Sequence, residues 1–249
     1  MQENIVKELG LSPLWRKKST LAEAPPPPAA AVAEVPSKAV PKRNVVNQSP
    51  VQSPVADVSG GIRVAKMNWQ QLRGAVEECQ QCPLCPTRIK TVFGVGDRQA
   101  TVMIIGEGPG EEEDQRGEPF VGRAGKLLDM MLHAIQLDRK RNVYISNMVK
   151  CRPPGNRNPT REEIEQCLPY LQRQIALVEP HLLVALGKVA AAHLLNTETS
   201  IAQLRQKVHD YNNIPLVVTY HPAYLLRSPQ EKRKSWEDLK FIRRLLKEH

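Results

Sequence analysis

Four short apolar runs, separated by helical patterns and loops, restrict this chain to one class of fold. Val102 to Ile105, Val143 to Ile145, Leu182 to Leu186 and Leu216 to Thr219 read as strands; the first is too brief for a helix, rich in β-branched residues and stopped by glycine, as a strand buried on both faces would be. Leu127, Leu128, Met131, Leu132 and Ile135 mark one apolar helix face. Ile164, Leu168, Leu171 and Ile175 mark another, opened by a Thr160-x-x-Glu163 capping box. Strands alternating with helices imply a parallel sheet covered on both sides. Ligands of such sheets sit off the carboxyl ends of the strands. Those ends carry GEGPGEEED after the first strand, SNMVKCRPPGNRNP after the second and HPAYLLRSP after the fourth, so three loops are expected to converge on one rim.

The stretch TVMIIGEGPGEEEDQRGEPFVGRAG, Thr101 to Gly125, is expected to carry the chemistry. Gly106, Gly108 and Gly110 with Pro109 let the backbone turn sharply and approach a ligand, while Glu107, Glu111, Glu112, Glu113 and Asp114 crowd carboxylates beside the turn. Two phosphate-binding readings fail. A dinucleotide fingerprint needs glycine where Glu111 sits, and a P-loop needs glycine at Phe120 and Ser or Thr after Lys126. The bland alternative is a solvated acidic loop on an α/β fold.

The 249 residues divide sharply by composition. From Thr20 to about Ala65 the chain is rich in Pro, Ala, Val and Ser and has no aromatic residue, which predicts a disordered linker over 20–65. Residues 1–19 could form a short amphipathic helix ending in Arg16, Lys17 and Lys18, read either as a docking peptide for a protein partner or as a frayed terminus. Charges interrupt every apolar run, so neither a signal peptide nor a membrane span is expected. The folded domain is placed at 66–249.

Cys79, Cys82 and Cys85 lie in ECQQCPLCPTR, with Cys151 and Cys167 far downstream. In a chain without a secretory signal this favours metal or redox chemistry over a disulfide framework. One Cys-x-x-Cys pair plus two distant cysteines suits a structural zinc or an iron-sulfur cluster, and spacing does not choose between them. Cys167, on an apolar helix face, also fits a core thiol. The net charge of +9 points to an anionic partner. Arg227, Lys232, Arg233, Lys234, Lys240, Arg243, Arg244 and Lys247 supply much of it, and with Lys150, Arg152 and Arg157 they are expected to flank the cleft as phosphate-backbone contacts.

GEGPGEEED with EPFVGRAG, then SNMVKCRPPGNRNPT, then HPAYLLR, with the paired cysteines, resemble the iron-sulfur uracil-DNA glycosylases, also called family four. The resemblance covers roughly Met67 to Trp236 and leaves out the N-terminal peptide and linker. It implies a three-layer α/β/α sandwich around a four-stranded parallel sheet, a [4Fe-4S] cluster on Cys79, Cys82, Cys151 and Cys167 with Cys85 spare, and removal of uracil from DNA by a cytoplasmic, nucleoid-associated monomer. A ligand set using Cys82-x-x-Cys85 stays open.

The residues fit such chemistry. A uracil inside a duplex must be flipped into a pocket before its bond can be reached. Phe120 offers a ring for the base to stack on, with the backbone of Glu107 and Gly108 beside it. Asn147 can donate to O4 and accept from N3–H with one amide, and His221 can donate to O2 as negative charge develops there. Leu225 and Leu226 supply an apolar wedge, and Arg227 a cation for the phosphates. In the better-understood uracil glycosylases an aspartate orients the attacking water; here Gly108 takes that place, leaving Glu107, Glu113 or Asp114. The alternative function is a non-catalytic, metal-stabilised module that binds DNA or a protein partner, which needs no Asn147, Phe120 and His221 set.

Overall fold

The computed structural model describes residues 63–247. The peptide at 1–19 and nearly all of the expected linker lie outside the described residues. Helices α1 (Trp69–Glu77), α2 (Glu111–Arg116), α3 (Arg123–Ala134), α4 (Arg161–Val178), α5 (Gly187–Leu195), α6 (Ile201–Leu204), α7 (Pro222–Arg227) and α8 (Lys232–Leu245) surround strands β1 (Val95–Gly96), β2 (Val102–Gly106), β3 (Val143–Asn147), β4 (Leu182–Leu186), β5 (His209–Tyr211) and β6 (Ile214–Thr219).

The strand order is β1-β3-β2-β4-β6-β5. The four expected strands form the parallel centre, β3-β2-β4-β6. The sheet nevertheless has six strands rather than four, because β1 and β5 add antiparallel edges. These are two and three residues long and carry no apolar run. The β5–β6 hairpin has a readable cause: Asn212 and Asn213 both adopt positive φ, 52° and 66°, as a type I′ turn requires.

Alternate residues of the central strands feed two cores, as the pleat dictates. Met103, Ile105, Leu183, Ala185, Leu216 and Val218 face α1, α4 and α5. Val102, Ile104, Val184, Leu186 and Val217 face α3, α7 and α8. The Thr160 capping box forms as expected: Glu163 N donates to Thr160 Oγ1 at 3.3 Å and Thr160 N to Glu163 Oε2 at 2.8 Å. The acidic stretch after β2 is the helix α2 rather than an open loop. Its four carboxylates occupy the first turn, where they complement the helix dipole.

α8 packs on β6 and runs from the carboxyl edge of the sheet to the amino edge. Arg243, Leu246 and Lys247 border a cavity with Thr101, His181 and Pro215, which precede or open strands. The basic end of α8 therefore lies at the edge opposite the three loops, and only its first turns are near the rim. That corrects the expectation that all of this charge flanks the cleft.

One buried carboxylate fastens α8. Asp238, fully buried, accepts from Thr219 Oγ1 of β6 (2.8 Å), Gln206 Nε2 (2.9 Å) and Arg205. Removing it strands a half-buried guanidinium and a buried hydroxyl. Asp238→Ala is expected to lower unfolding free energy by about 3 kcal/mol and Asp238→Asn by less, as measured by urea denaturation.

Candidate active site

The three loops meet around a cavity of about 350 Å³ at the carboxyl ends of β2, β3 and β6. Glu107, Gly108, Glu113, Phe120, Asn147, His221 and Arg227 all line it. The β2–β3 register places Gly106 opposite Asn147. Pairing continues past both strands, with Met148 N donating to Gly106 O (2.9 Å) and Val149 N to Glu107 O (3.3 Å), so the two loops leave the sheet already joined.

Asn147 is buried, and its Oδ1 is, among the described residues, the buried side-chain oxygen or nitrogen without a hydrogen-bond partner. An unmade bond of this kind costs about 1–3 kcal/mol, and it lies on the cavity wall. Gly106 makes the arrangement possible. A Cβ there would stand 2.4 Å from Asn147 Oδ1 and 2.7 Å from Phe120 Cζ, so any side chain would displace the amide and the ring together.

Phe120 reaches its place through a strained backbone, φ 55°, in a region non-glycine residues seldom occupy. Arg139 holds it there: Nη2 donates to Phe120 O at 2.9 Å while Nε bonds Asp129 at 2.7 Å. The Phe120 and His221 rings lie 5.5 Å apart at 34°, forming two sides of the cavity.

His221 is the N-cap of α7. Its Nδ1 accepts from Ala223 N at 3.2 Å, which puts the proton of the neutral ring on Nε2. Burial, with Arg227 adding repulsion, pushes its pKa down to about 4. The ring is thus a neutral donor across the physiological range. Gly187, at the end of β4 with φ 87°, lets the chain pass behind it, since a Cβ there would lie 2.9 Å from His221 Cβ.

The three carboxylates considered for handling water divide, among the described residues, into one without a hydrogen bond and two clamps. Glu113 Oε1 accepts from Val121 N and Gly122 N, both at 2.9 Å, and Oε2 from Gly110 N at 3.1 Å, so it pins the loop before α3. Asp114 is buried and turned away, accepting from Ile89 N and Lys90 N. Neither is disposed as expected for a water-handling group. Glu107 makes no side-chain hydrogen bond among the described residues, and burial raises its pKa, with Arg227 opposing. Leu225 also departs from expectation: it is 1% exposed and belongs to the core between α3 and α8, so it cannot act as a wedge in this conformation. Leu226 is half-buried and Arg227 exposed.

Other wall residues escaped the sequence reading. Pro153, Asn156, Asn158 and Pro159 complete one side, and Arg157 is held there by both oxygens of Glu163, at 2.9 and 2.6 Å. The run RPPGNRNP signals a loop, but nothing in it says which side chains turn inward.

Behind the cavity, Cys79, Cys82, Cys151 and Cys167 border one small space with Lys150 and Tyr170, and Cys85 does not. The geometry therefore gathers the four thiols of the Cys79, Cys82, Cys151 and Cys167 set. Arg88, absent from the sequence reading, joins the two arms by donating to Cys79 O (2.8 Å) and Cys151 Sγ (3.2 Å). Lys150 N donates to Cys167 Sγ at 3.3 Å. Burial pushes the Cys151 thiol up to about 11 and Cys167 up to about 12. Four converging thiols, those of Cys151 and Cys167 buried, are a donor set that fits a cationic centre, which would take the place of their protons. Among the described residues no trio of His, Cys, Asp or Glu is drawn in tightly enough to grip a single ion.

The chain matches the uracil DNA glycosylase superfamily over residues 93–240, a span that includes all three loops, and it belongs to that family. It is 42% identical over 175 residues to a type-4 uracil-DNA glycosylase of Archaeoglobus fulgidus, covering 67% of this chain and 87% of that one. A type-4 uracil-DNA glycosylase of Thermotoga maritima is 41% identical over 176 residues, 69% of this chain and 91% of the relative. Similarity to a type-5 uracil-DNA glycosylase of Pyrobaculum aerophilum is lower, 33% over 146 residues, covering 52% and 64%. Within the superfamily, the chain is of the type-4 group.

The environment of His221 has a consequence for stability. Its folded pKa, about 4, lies below the ordinary histidine value of about 6.5, so between these values the unfolded chain binds the extra proton. Stability is expected to fall as pH drops from about 6.5 toward 4, by on the order of 3 kcal/mol from this residue, and to be insensitive to it above 7. Denaturant midpoints of the protein and of His221→Asn across this range should converge at low pH.

Proposed function

We infer that the protein is a DNA repair glycosylase that flips uracil out of DNA and hydrolyses its N-glycosidic bond, leaving an abasic site. The observation that carries this reading is the unpaired, buried Asn147 Oδ1 in a cavity walled by an aromatic ring and a neutral histidine. Uracil supplies the missing donor through N3–H and accepts from the amide nitrogen through O4. Cytosine presents the opposite pattern and leaves the amide mismatched. Phe120 stacks on the base. His221 Nε2–H donates to O2, a bond that strengthens as the base departs as an anion. Glu107, which lines the cavity and makes no side-chain hydrogen bond among the described residues, is assigned to orient the attacking water near the sugar; Glu113 keeps the loop in shape. Arg227 and Arg157, which both line the cavity, contact phosphates.

A [4Fe-4S] cluster on Cys79, Cys82, Cys151 and Cys167 belongs to the same proposal. It would cross-link the segment before β1 to the loop and helix after β3, while hydrolysis needs no electron transfer. Residues 66–249 are proposed to suffice for excision, acting as a monomer at the nucleoid, with 1–19 left for a protein partner. No helix among the described residues is long and apolar enough to cross a membrane.

Incubation with a labelled uracil-containing oligonucleotide followed by alkaline cleavage tests the activity; an uncleaved strand would point to the non-catalytic binding module. Asn147→Asp is expected to lose most uracil excision, because an ionised carboxylate only accepts, and to gain weak cytosine excision. His221→Ala should slow single-turnover release by about 100-fold while affinity for abasic product DNA holds. An equal loss in both would make His221 a positioning residue.

Anaerobically purified protein is expected to contain iron and acid-labile sulfide. Cys85→Ser should retain them and Cys167→Ser lose them, with unfolding at lower denaturant. Stoichiometric zinc without sulfide would overturn the assignment.

A further inference from the structure

We propose that Tyr224 stacks on the base neighbouring the flipped uridine, doing the work that Leu225 is too deeply buried to do; the proposal rests on the uracil-excision reading above. In α7, Ala223 and Arg227 are four residues apart and share the face that lines the cavity. Leu225 points the other way, into the core. Tyr224 and Leu226 flank the cavity face on either side, and of the two it is the tyrosine that is exposed, at 36%.

The ring is also held in place. Tyr224 lies against the buried Tyr220 with centroids 5.4 Å apart and planes at 23°. Presenting it to DNA thus immobilises little that was free, which is how a rigid aromatic contact adds affinity. Cations accompany it. Arg227 stands on the same short helix, and the Lys234 ammonium, paired with Glu231 at 2.8 Å, lies close enough to feel both tyrosines. A supported, exposed ring on the helix whose Ala223 and Arg227 line the cavity, with cations nearby in the chain, is the combination that stacking platforms for unpaired nucleic-acid bases use.

The test compares the full chain with Tyr224→Ala, Tyr224→Phe and Leu226→Ala in single-turnover excision of uracil paired with guanine. Tyr224→Ala is expected to be about tenfold slower and Tyr224→Phe unchanged, since the ring and not the hydroxyl stacks. Opposite a pyrene nucleotide, whose bulk expels the uridine unaided, Tyr224→Ala should recover most of its rate. A merely structural tyrosine would show the same loss opposite guanine and pyrene, and that result would overturn the proposal. So would a Tyr224→Ala rate equal to that of the unsubstituted protein, or a larger loss in Leu226→Ala. If the unsubstituted protein excises uracil from neither duplex, the excision reading itself is what fails.

Discussion

The ladder between β2 and β3 runs past the ends of both strands, and the site depends on it. Met148 and Val149 donate back to Gly106 and Glu107, so the glycine loop and the asparagine loop emerge as one rigid edge. Asn147 then stands beside Gly106 by register and not by loop conformation. Sites built on strand ends hold geometry better than sites on free loops. Phe120 and His221 come from less regular segments, and each needs its own restraint: Arg139 for the first, the Ala223 amide for the second.

A second set of polar contacts lies beneath this edge. Lys150, with 1% of its surface exposed, donates to Ser146 Oγ (2.6 Å), Asn147 O (2.9 Å) and Gln174 Oε1 (2.7 Å). Burial pulls its pKa down to about 8. An apolar side chain of the same volume would often be at least as stable, so the cation is not explained by stability alone. What it adds is connection. Through Lys150 the carbonyl of Asn147 is tied to Gln174 on α4, and through the neighbouring backbone amide to Cys167 on the same helix. The four gathered cysteines and the backbone of Asn147 thus share one buried framework.

Much of this was legible in the chain. Apolar runs marked the four central strands, the first of them stopped by glycine, a Thr160-x-x-Glu163 box marked the start of α4, and the residues at three strand ends named most of the cavity wall. The short edge strands were not, because two or three residues without alternation carry no periodic signal, and the Asn212-Asn213 turn between β5 and β6 went unread with them. The roles of the acids were equally hidden. Five carboxylates follow β2 within eight residues, and composition cannot say that Glu113 is consumed by three backbone amides while Glu107 is left free.

By itself the sequence determined the fold class, the rim on which the site is built and the residue types gathered there, because burial and strand polarity follow from local patterns of apolar and turn residues. Only the tertiary structure decided which side chains are free to act. Leu225 belongs to the core and Tyr224 to the surface, Cys85 stands outside the cage that Cys167 completes, and Asn147 keeps an unmade hydrogen bond. The physical reason is the same in each case. Whether a group is spent on the fold or left for a ligand depends on partners distant in the chain, and those are set by packing rather than by any neighbour in sequence.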